Sequence, residues 1–256
     1  IDLLLAGPPC EGHSNLNNHT RRNDKRNDAY LDVPALAIAL DIQTVIIENV
    51  PAVVHDHTEV VDTAKQLFRD ACYEVEDGVL SASAMGWPQT RSRYFMVARK
   101  GVPPIDPDHV GEGLALPKEE GALPMWWAIS DLADVERDDH MHRQPEYTPA
   151  NQKRINYLHS SKGKKDFSLP LELHNEKHQP DYRMENDLEP TTYTSVYGRL
   201  NPDQPAGTIT TGFLTPGRGR YVHPTKKRTI NPAEAARLQG FPDDYRFTVD
   251  GKPPSS

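Results

Sequence analysis

Two cysteines in 256 residues, Cys10 and Cys72, are too few for a disulfide framework. The expected setting is therefore a reducing cytoplasm. No apolar run approaches the ~20 residues that a membrane-spanning helix needs, so no membrane partner is expected. Internal repeats and low-complexity tracts are also missing, which argues against a solenoid or a long linker. Basic charge is outnumbered: 29 Lys and Arg face 37 Asp and Glu, a net charge of −8. An acidic chain is a weak prospect for nucleic acid unless its basic residues cluster, so their distribution matters more than their sum. What remains is a chain that is 36% hydrophobic and 26% charged, long enough for one large domain or two modest ones around a real core.

Residues Asp2 to Ala6 read as a short, fully buried strand, stopped by Gly7 and Pro8. A polar loop rich in Asn and Arg then runs to about Asp28, and loops of this length are commonly functional. Leu31, Ala35, Leu36, Ile38 and Ala39 predict a helix over 30–40. TVIIENV (44–50) reads as a second buried strand. Val60, Val61, Ala64, Leu67, Phe68 and Ala71 mark an amphipathic helix over 60–72. YEVEDGVLSAS (73–83) gives extended segments with a turn at Asp77-Gly78, and RYFMVARK (93–100) a further strand. Strands alternating with helices predict an α/β, parallel-type sheet with an antiparallel strand at its end.

From Gly101 to about Thr229 proline is frequent and periodicity weak, the pattern of a second, irregular domain. It holds a helix start at WWAISDL (126–132) and a basic stretch, NQKRINYLHSSKGKKD (151–166). NPAEAARLQGFP (231–242) predicts a helix with Asn231 as N-cap, Pro232 at the first helical position and Glu234 three residues beyond the cap. Gly240 and Pro242 stop it.

Most free cysteines are small buried hydrophobes. Cys10 has another setting: two prolines fix the backbone before it, just past the carboxyl end of a strand, where open α/β sheets bind ligands. A thiolate held there suits a nucleophile. Glu48 ends the second strand. Alone it reads as a solvated strand-end carboxylate, but if the two strands are parallel neighbours it reaches the same sheet edge as Cys10. Arg91 and Arg93 alternate just before or within a strand, which points both to one face. They are either edge-strand surface charges or clamps for an anion or carbonyl.

GPPCEGHS (7–14), ENV (48–50), PQTRSR (88–93) and RTINPAEAARLQGFPDDYRF (228–247), in this order, resemble the cytosine-C5 DNA methyltransferase family. The resemblance covers the first hundred residues and roughly the last sixty. It implies a partial Rossmann-like, S-adenosylmethionine-dependent methyltransferase sheet with a smaller irregular target-recognition domain. Residues 1–100 would be catalytic, 101–230 would recognise the target, and 231–256 would form a hinge helix and a return toward the catalytic domain. Cys10 would add to C6 of cytosine. Glu48, in its protonated form, would hydrogen-bond N3 and the exocyclic amine, and Arg93 with Arg91 would hold O2 and orient Glu48. The partner would be double-stranded DNA with its target cytosine flipped out of the stack. Pro8, Pro9, Asn27 and Asp28 are the implied cofactor-side residues. DNA-contact candidates are Ser14 and Arg26, with Arg21 and Arg22, in the loop after Cys10. Lys153, Arg154, Lys162, Lys164 and Lys165 form a basic patch, each equally readable as a solvated charge, and Thr210 and Arg218, with Arg220, are backbone-contact candidates.

The sequence also departs from the family pattern. Glu11 stands where Gln is usual and places a carboxylate beside the nucleophile, which would slow addition. His13 replaces Phe, and Ala233 replaces an Arg. The glycine-bearing first motif and the ribose-binding acid would lie upstream of Ile1, and an Asn-Val-Pro motif beyond Ser256. The expectation is thus a fragment, or half of a split enzyme, that binds S-adenosylmethionine weakly or not at all. Its first strand would become a sheet edge covered by a second copy or a partner chain. A tRNA cytosine-C5 methyltransferase is the alternative enzyme; that branch carries a Cys-Phe-Thr tripeptide, and no cysteine follows Cys72 here. A DNA-binding relic without catalysis is the alternative class.

Overall fold

The computed structural model describes residues 1–10, 25–101, 121–160, 169–175, 184–186 and 197–247, with the backbone alone for Lys25 and Arg26. Contacts divide the chain into two units. The first takes residues 1–85 and the stretch from Ser92 onward to 118; the second takes Gly86–Arg91 and everything from residue 119.

The first unit is a four-stranded mixed sheet of β1 (Leu3–Ala6), β2 (Thr44–Asn49), β3 (Tyr73–Ser81) and β4 (Ser92–Lys100), in the order β1-β2-β4-β3. β1 and β2 are parallel, Leu3 opposite Thr44 and Ala6 opposite Ile47. β4 runs antiparallel to both β2 and β3, so only one neighbouring pair is parallel, fewer than the sequence suggests. Alternation decides which side chains go inward. Val45, Ile47 and Asn49 of β2 are buried, while Thr44, Ile46 and Glu48 face the other side, half-buried. Two helices cover the inward face, α1 (Ala29–Ala39) and α2 (Val60–Asp70). Tyr30, Ala37, Val60, Ala64 and Phe68 join Val45, Ile47, Tyr73, Met96 and Ala98 in one core. A fully buried Phe68 alone contributes on the order of 2 kcal/mol.

Two local expectations are corrected. β3 runs unbroken through Asp77-Gly78, which pair with Met96 and Phe95. The ladder overrides the turn signal, and the Asp77 carboxylate is fixed by Lys65 at 2.8 Å and by the Tyr94 hydroxyl at 3.0 Å. β1 is not fully buried: it is an edge strand among the described residues, and Leu3 and Leu5 are 49% and 68% exposed while Leu4 and Ala6 pack on the core.

The second unit has little regular structure. α3 (Met125–Ile129), α4 (Pro149–Leu158) and α5 (Pro232–Leu238) accompany a parallel strand pair, β5 (Tyr197–Arg199) with β6 (Gly219–Val222). One apolar cluster gathers Met125, Ile129, Leu200, Ile209, Tyr221, Ile230 and Leu238; a second gathers Ile155, Leu158, Leu169, Tyr197 and Val222. The stretch read as basic begins as α4, capped by Thr148, whose hydroxyl accepts from the Asn151 amide. α5 starts as its sequence predicts, with Asn231 and Glu234 exchanging hydrogen bonds at 2.8 Å in a capping box. Gly217 is required: its φ is +101°, and a Cβ there would lie 2.5 Å from the Tyr197 ring. Among the described residues no helix is long and apolar enough to cross a membrane.

Candidate active site

The carboxyl ends of β1 and β2 lie side by side because the strands are parallel and in register. Past β1 the chain turns through Gly7-Pro8-Pro9 to Cys10, which is free and exposed. The turn is tied to β2: Asn49 Nδ2 donates to the Pro8 carbonyl at 3.3 Å. Asn49 itself is buried, and its Oδ1 accepts from the Val50 amide at 2.8 Å. Glu48, one residue earlier, is on the opposite face of β2 and pairs across the sheet with β4. Arg93 Nε sits 2.8 Å from Glu48 Oε1, and Arg93 Nη1 donates to the Ser92 carbonyl at 2.8 Å. The guanidinium is thus anchored at one end to its own backbone and at the other to the carboxylate. β4 opens only at Ser92, so Arg91 lies before the strand, and the two-residue period that would put it on one face with Arg93 does not reach it.

Asn27 is buried in the 3₁₀ turn Lys25–Asp28 that leads into α1, and Asp28 is exposed. Asn27 Nδ2 donates to Asp56 Oδ2 at 2.6 Å, and the Thr58 amide donates to Asp56 Oδ1 at 2.9 Å. Asn27 Oδ1 is a buried acceptor without a hydrogen-bond partner. That acceptor suits a ligand bearing N–H or O–H donors, as S-adenosylmethionine does in its ammonium, ribose and adenine groups, and the next residue, Asp28, offers an exposed carboxylate.

In the second unit the stretch 86–91 packs on α5. Trp87 Nε1 and Gln89 Nε2 both donate to the Leu238 carbonyl at 3.0 Å. Close by, Glu234 is wholly buried and takes two hydrogen bonds from Arg228, each 2.7 Å. His223 accepts the Thr225 and Lys226 amides on Nδ1 at 3.1 and 3.0 Å, which leaves its ring proton on Nε2. That nitrogen is 3.3 Å from Glu234 Oε1, near enough for an ion pair but poorly aligned for a hydrogen bond. Burial would raise the Glu234 carboxyl, but the two hydrogen bonds from Arg228 and the proximity of His223 outweigh it and bring it to about 2. Burial also takes His223 below its ordinary value, so the imidazole is held neutral beside an anion already matched by Arg228.

The nucleic-acid candidates divide. Lys153 on α4 and Arg218 are exposed. Thr210 is fixed by Tyr221, whose hydroxyl lies 3.2 Å from its amide and 3.0 Å from its Oγ1. Arg154 is reassigned: its guanidinium donates to the Leu173 carbonyl and to Asn151 Oδ1, both at 2.7 Å, and lies over the Tyr197 ring. These contacts fasten α4. Ser14, Arg21, Arg22, Lys162, Lys164 and Lys165, and the side chain of Arg26, lie outside the described residues. Sequence reasoning singled out neither Trp87 nor Asp56, and it met Gln89 only as a member of PQTRSR. Asn49 was legible as the polar member of the inward Val45-Ile47-Asn49 row.

The profile of the C-5 cytosine-specific DNA methylase family matches residues 1–255. The chain belongs to this family. Among curated proteins it is 40% identical to type II methyltransferase M1.BsuMI of Bacillus subtilis over 96% of the chain and 54% of that protein. It is 30% identical to type II methylase M.HgiDII of Herpetosiphon aurantiacus over 98% of the chain and 68% of that protein. The chain therefore spans about half the length of the first of these methylases and about two thirds of the second. Its fold is similar to the crystal structure of a prophage-encoded protein named as a DNA modification methyltransferase (E. coli). The TM-score is 0.57 at 22% identity, covering 96% of the chain and 70% of that structure.

Proposed function

We propose that this methylase-family chain transfers a methyl group to C5 of cytosine in DNA, with Cys10, Glu48 and Arg93 acting on the base. The Glu48–Arg93 pair carries the reading: a charge-assisted contact of 2.8 Å at the carboxyl end of β2, whose parallel neighbour β1 runs into the turn that bears Cys10. C5 of cytosine is too weak a nucleophile by itself. The Cys10 thiolate adds at C6, and the electron pair of the C5–C6 bond moves toward C5 and the ring nitrogen. Glu48, carrying a proton in this step, donates a hydrogen bond to N3 as charge develops there and takes the proton back when the sulfur leaves, and Arg93 holds the Glu48 carboxyl in a fixed direction. Asn27 Oδ1, Asp28 and the Pro8-Pro9 turn would hold S-adenosylmethionine, which would supply the methyl group. Loss of the C5 proton to water then lets the cysteine sulfur leave as thiolate.

The cytosine is extruded from the duplex at a cost of a few kcal/mol. The second unit, with Lys153, Thr210 and Arg218 toward the backbone, recognises the duplex, and the protein acts in the cytoplasm at the nucleoid.

The test is transfer of labelled methyl from S-adenosylmethionine to duplex DNA and, separately, to tRNA, together with covalent trapping on 5-fluorocytosine DNA. Label in DNA and a trapped adduct lost in Cys10→Ala but kept in Cys72→Ser are expected. Trapping that survives Cys10→Ala, or transfer to tRNA alone, would overturn the reading.

A further inference from the structure

The segment Gly86–Arg91 leaves β3's end and returns to β4, yet it is fastened within the second unit. The fastening is dense. The Leu238 carbonyl, at the last residue of α5, belongs to the final turn, where carbonyls have no intrahelical donor. Both Trp87 Nε1 and Gln89 Nε2 supply it with one, each at 3.0 Å. The Ala206 amide donates to the Pro88 carbonyl at 2.9 Å, and the Thr90 amide donates to the Ala206 carbonyl at 2.8 Å. The Trp87 ring lies under Gly240, whose φ is +89° and where a Cβ would come within 3.3 Å of the indole. Gln89 is 1% exposed. Burying a primary amide is costly unless its hydrogen bonds are met, and an apolar residue of that volume would fill the space more cheaply. What the glutamine adds is a directional hold on a helix-end carbonyl.

Three residues beyond this anchor stand before Arg93: Thr90, Arg91 and Ser92. Arg93 lies one residue inside β4, grips Glu48 through Nε, and takes its other anchor from the Ser92 carbonyl. Residues 87–90 lead along the backbone into Ser92 and Arg93, whose pairing with Ser81 and Leu80 of β3 is the other hold on the start of β4. We propose that Trp87 and Gln89 are positioning residues. By fastening segment 86–91 to the end of α5 they hold the start of β4, and with it the Arg93 guanidinium, in the geometry that fixes Glu48. The consequence for methyl transfer rests on the function proposed above; the structural hold does not.

The experiment uses Trp87→Phe, Gln89→Leu and the double variant. Each single variant leaves one donor on Leu238, and the double removes both. Arg154→Ala, which loosens the second unit at α4, is the comparison. The first readout is amide hydrogen exchange over residues 92–94 against 97–100 of the same strand. Exchange at 92–94 should rise about tenfold or more in the double variant and less in each single one, with 97–100 unchanged and Arg154→Ala without effect there. The second readout is methyl transfer, where kcat should fall about tenfold or more while KM for DNA stays within about twofold. A merely structural loss in the second unit would move KM instead. Unchanged exchange at 92–94 in the folded variants, or an equal rise in Arg154→Ala, would overturn the proposal. If the double variant does not fold, the singles decide it. If the unsubstituted protein transfers no methyl group, the function proposed above fails, while the exchange data still decide the positioning role.

Discussion

Glu234→Gln tests the electrostatics of the second unit at one atom pair. The amide keeps the volume and can still complete the capping box with Asn231, because glutamine serves at that position as glutamate does. It removes the negative charge that Arg228 and His223 face. The carboxyl stands at about 2 in the folded protein against an ordinary 4.5. At about 1.4 kcal/mol per pH unit, that difference is worth ~3 kcal/mol of folding stability. The sign follows from the direction. A carboxyl depressed on folding contributes in full above its unfolded value near 4.5, and the contribution is lost as pH falls toward 2. His223 is also depressed by burial, and the Glu234 charge holds it up, so losing that charge lowers the imidazole further in the variant, which works against the narrowing of the gap at acid pH. Leaving Arg228 half-matched near a buried site adds to the loss, so the variant should fall short by about 3–5 kcal/mol at pH 7. The assay is urea unfolding followed by tryptophan fluorescence. All three tryptophans, Trp87, Trp126 and Trp127, lie in the second unit, and Trp126 sits edge-on to His223 at 5.8 Å, so the signal reports this unit. The stability gap between the two proteins should hold from pH 7 to about 5 and narrow steadily from 4.5 to 3. A gap below about 1 kcal/mol at pH 7, or one that does not change with pH, would refute the argument.

Arg93→Lys keeps the charge but loses the Nε donor and the planar fork; kcat should drop about 100-fold in steady-state methyl transfer, and a loss under about threefold would remove Arg93 from the proposed chemistry. Asn27→Ala takes away the donor 2.6 Å from Asp56 and should cost about 1–3 kcal/mol, read by far-ultraviolet circular dichroism during urea unfolding. Gly217→Ala forces a side chain into a φ of +101° against Tyr197 and should lose about 2 kcal/mol or more, seen as a lower Tm; an unchanged Tm would show that the loop relaxes at no cost.

Local rules were readable wherever the deciding partners are near in sequence. The α5 start is an example: Asn231, Pro232 and Glu234 contain the whole capping arrangement, and the helix begins there. Strand alternation likewise separated Glu48 from Asn49 and sent them to opposite faces. Readings failed where the partner is remote. Asp77-Gly78 has the composition of a turn, but Lys65 and Tyr94 hold the aspartate within a nine-residue ladder. Arg154 looked like a surface cation because its acceptor at Leu173 lies 19 residues away. β1 reads as buried from its leucines alone, whereas burial of Leu3 and Leu5 depends on what covers their face. The Glu234 cluster needed two residues of the loop after β6 and one of α5 to converge, and nothing in the spacing of His223 and Arg228 announces a shared carboxylate.

The interleaving of the two units also bears on how relatives could be recombined. Because residues 86–91 pack with the part that begins at 119, the second unit is not one contiguous stretch of gene. A chimera spliced only after residue 118 would set one parent's indole and glutamine against the other parent's helix end. Exchanges that carry the short upstream cassette along with the downstream block should give soluble hybrids more often than single-junction swaps.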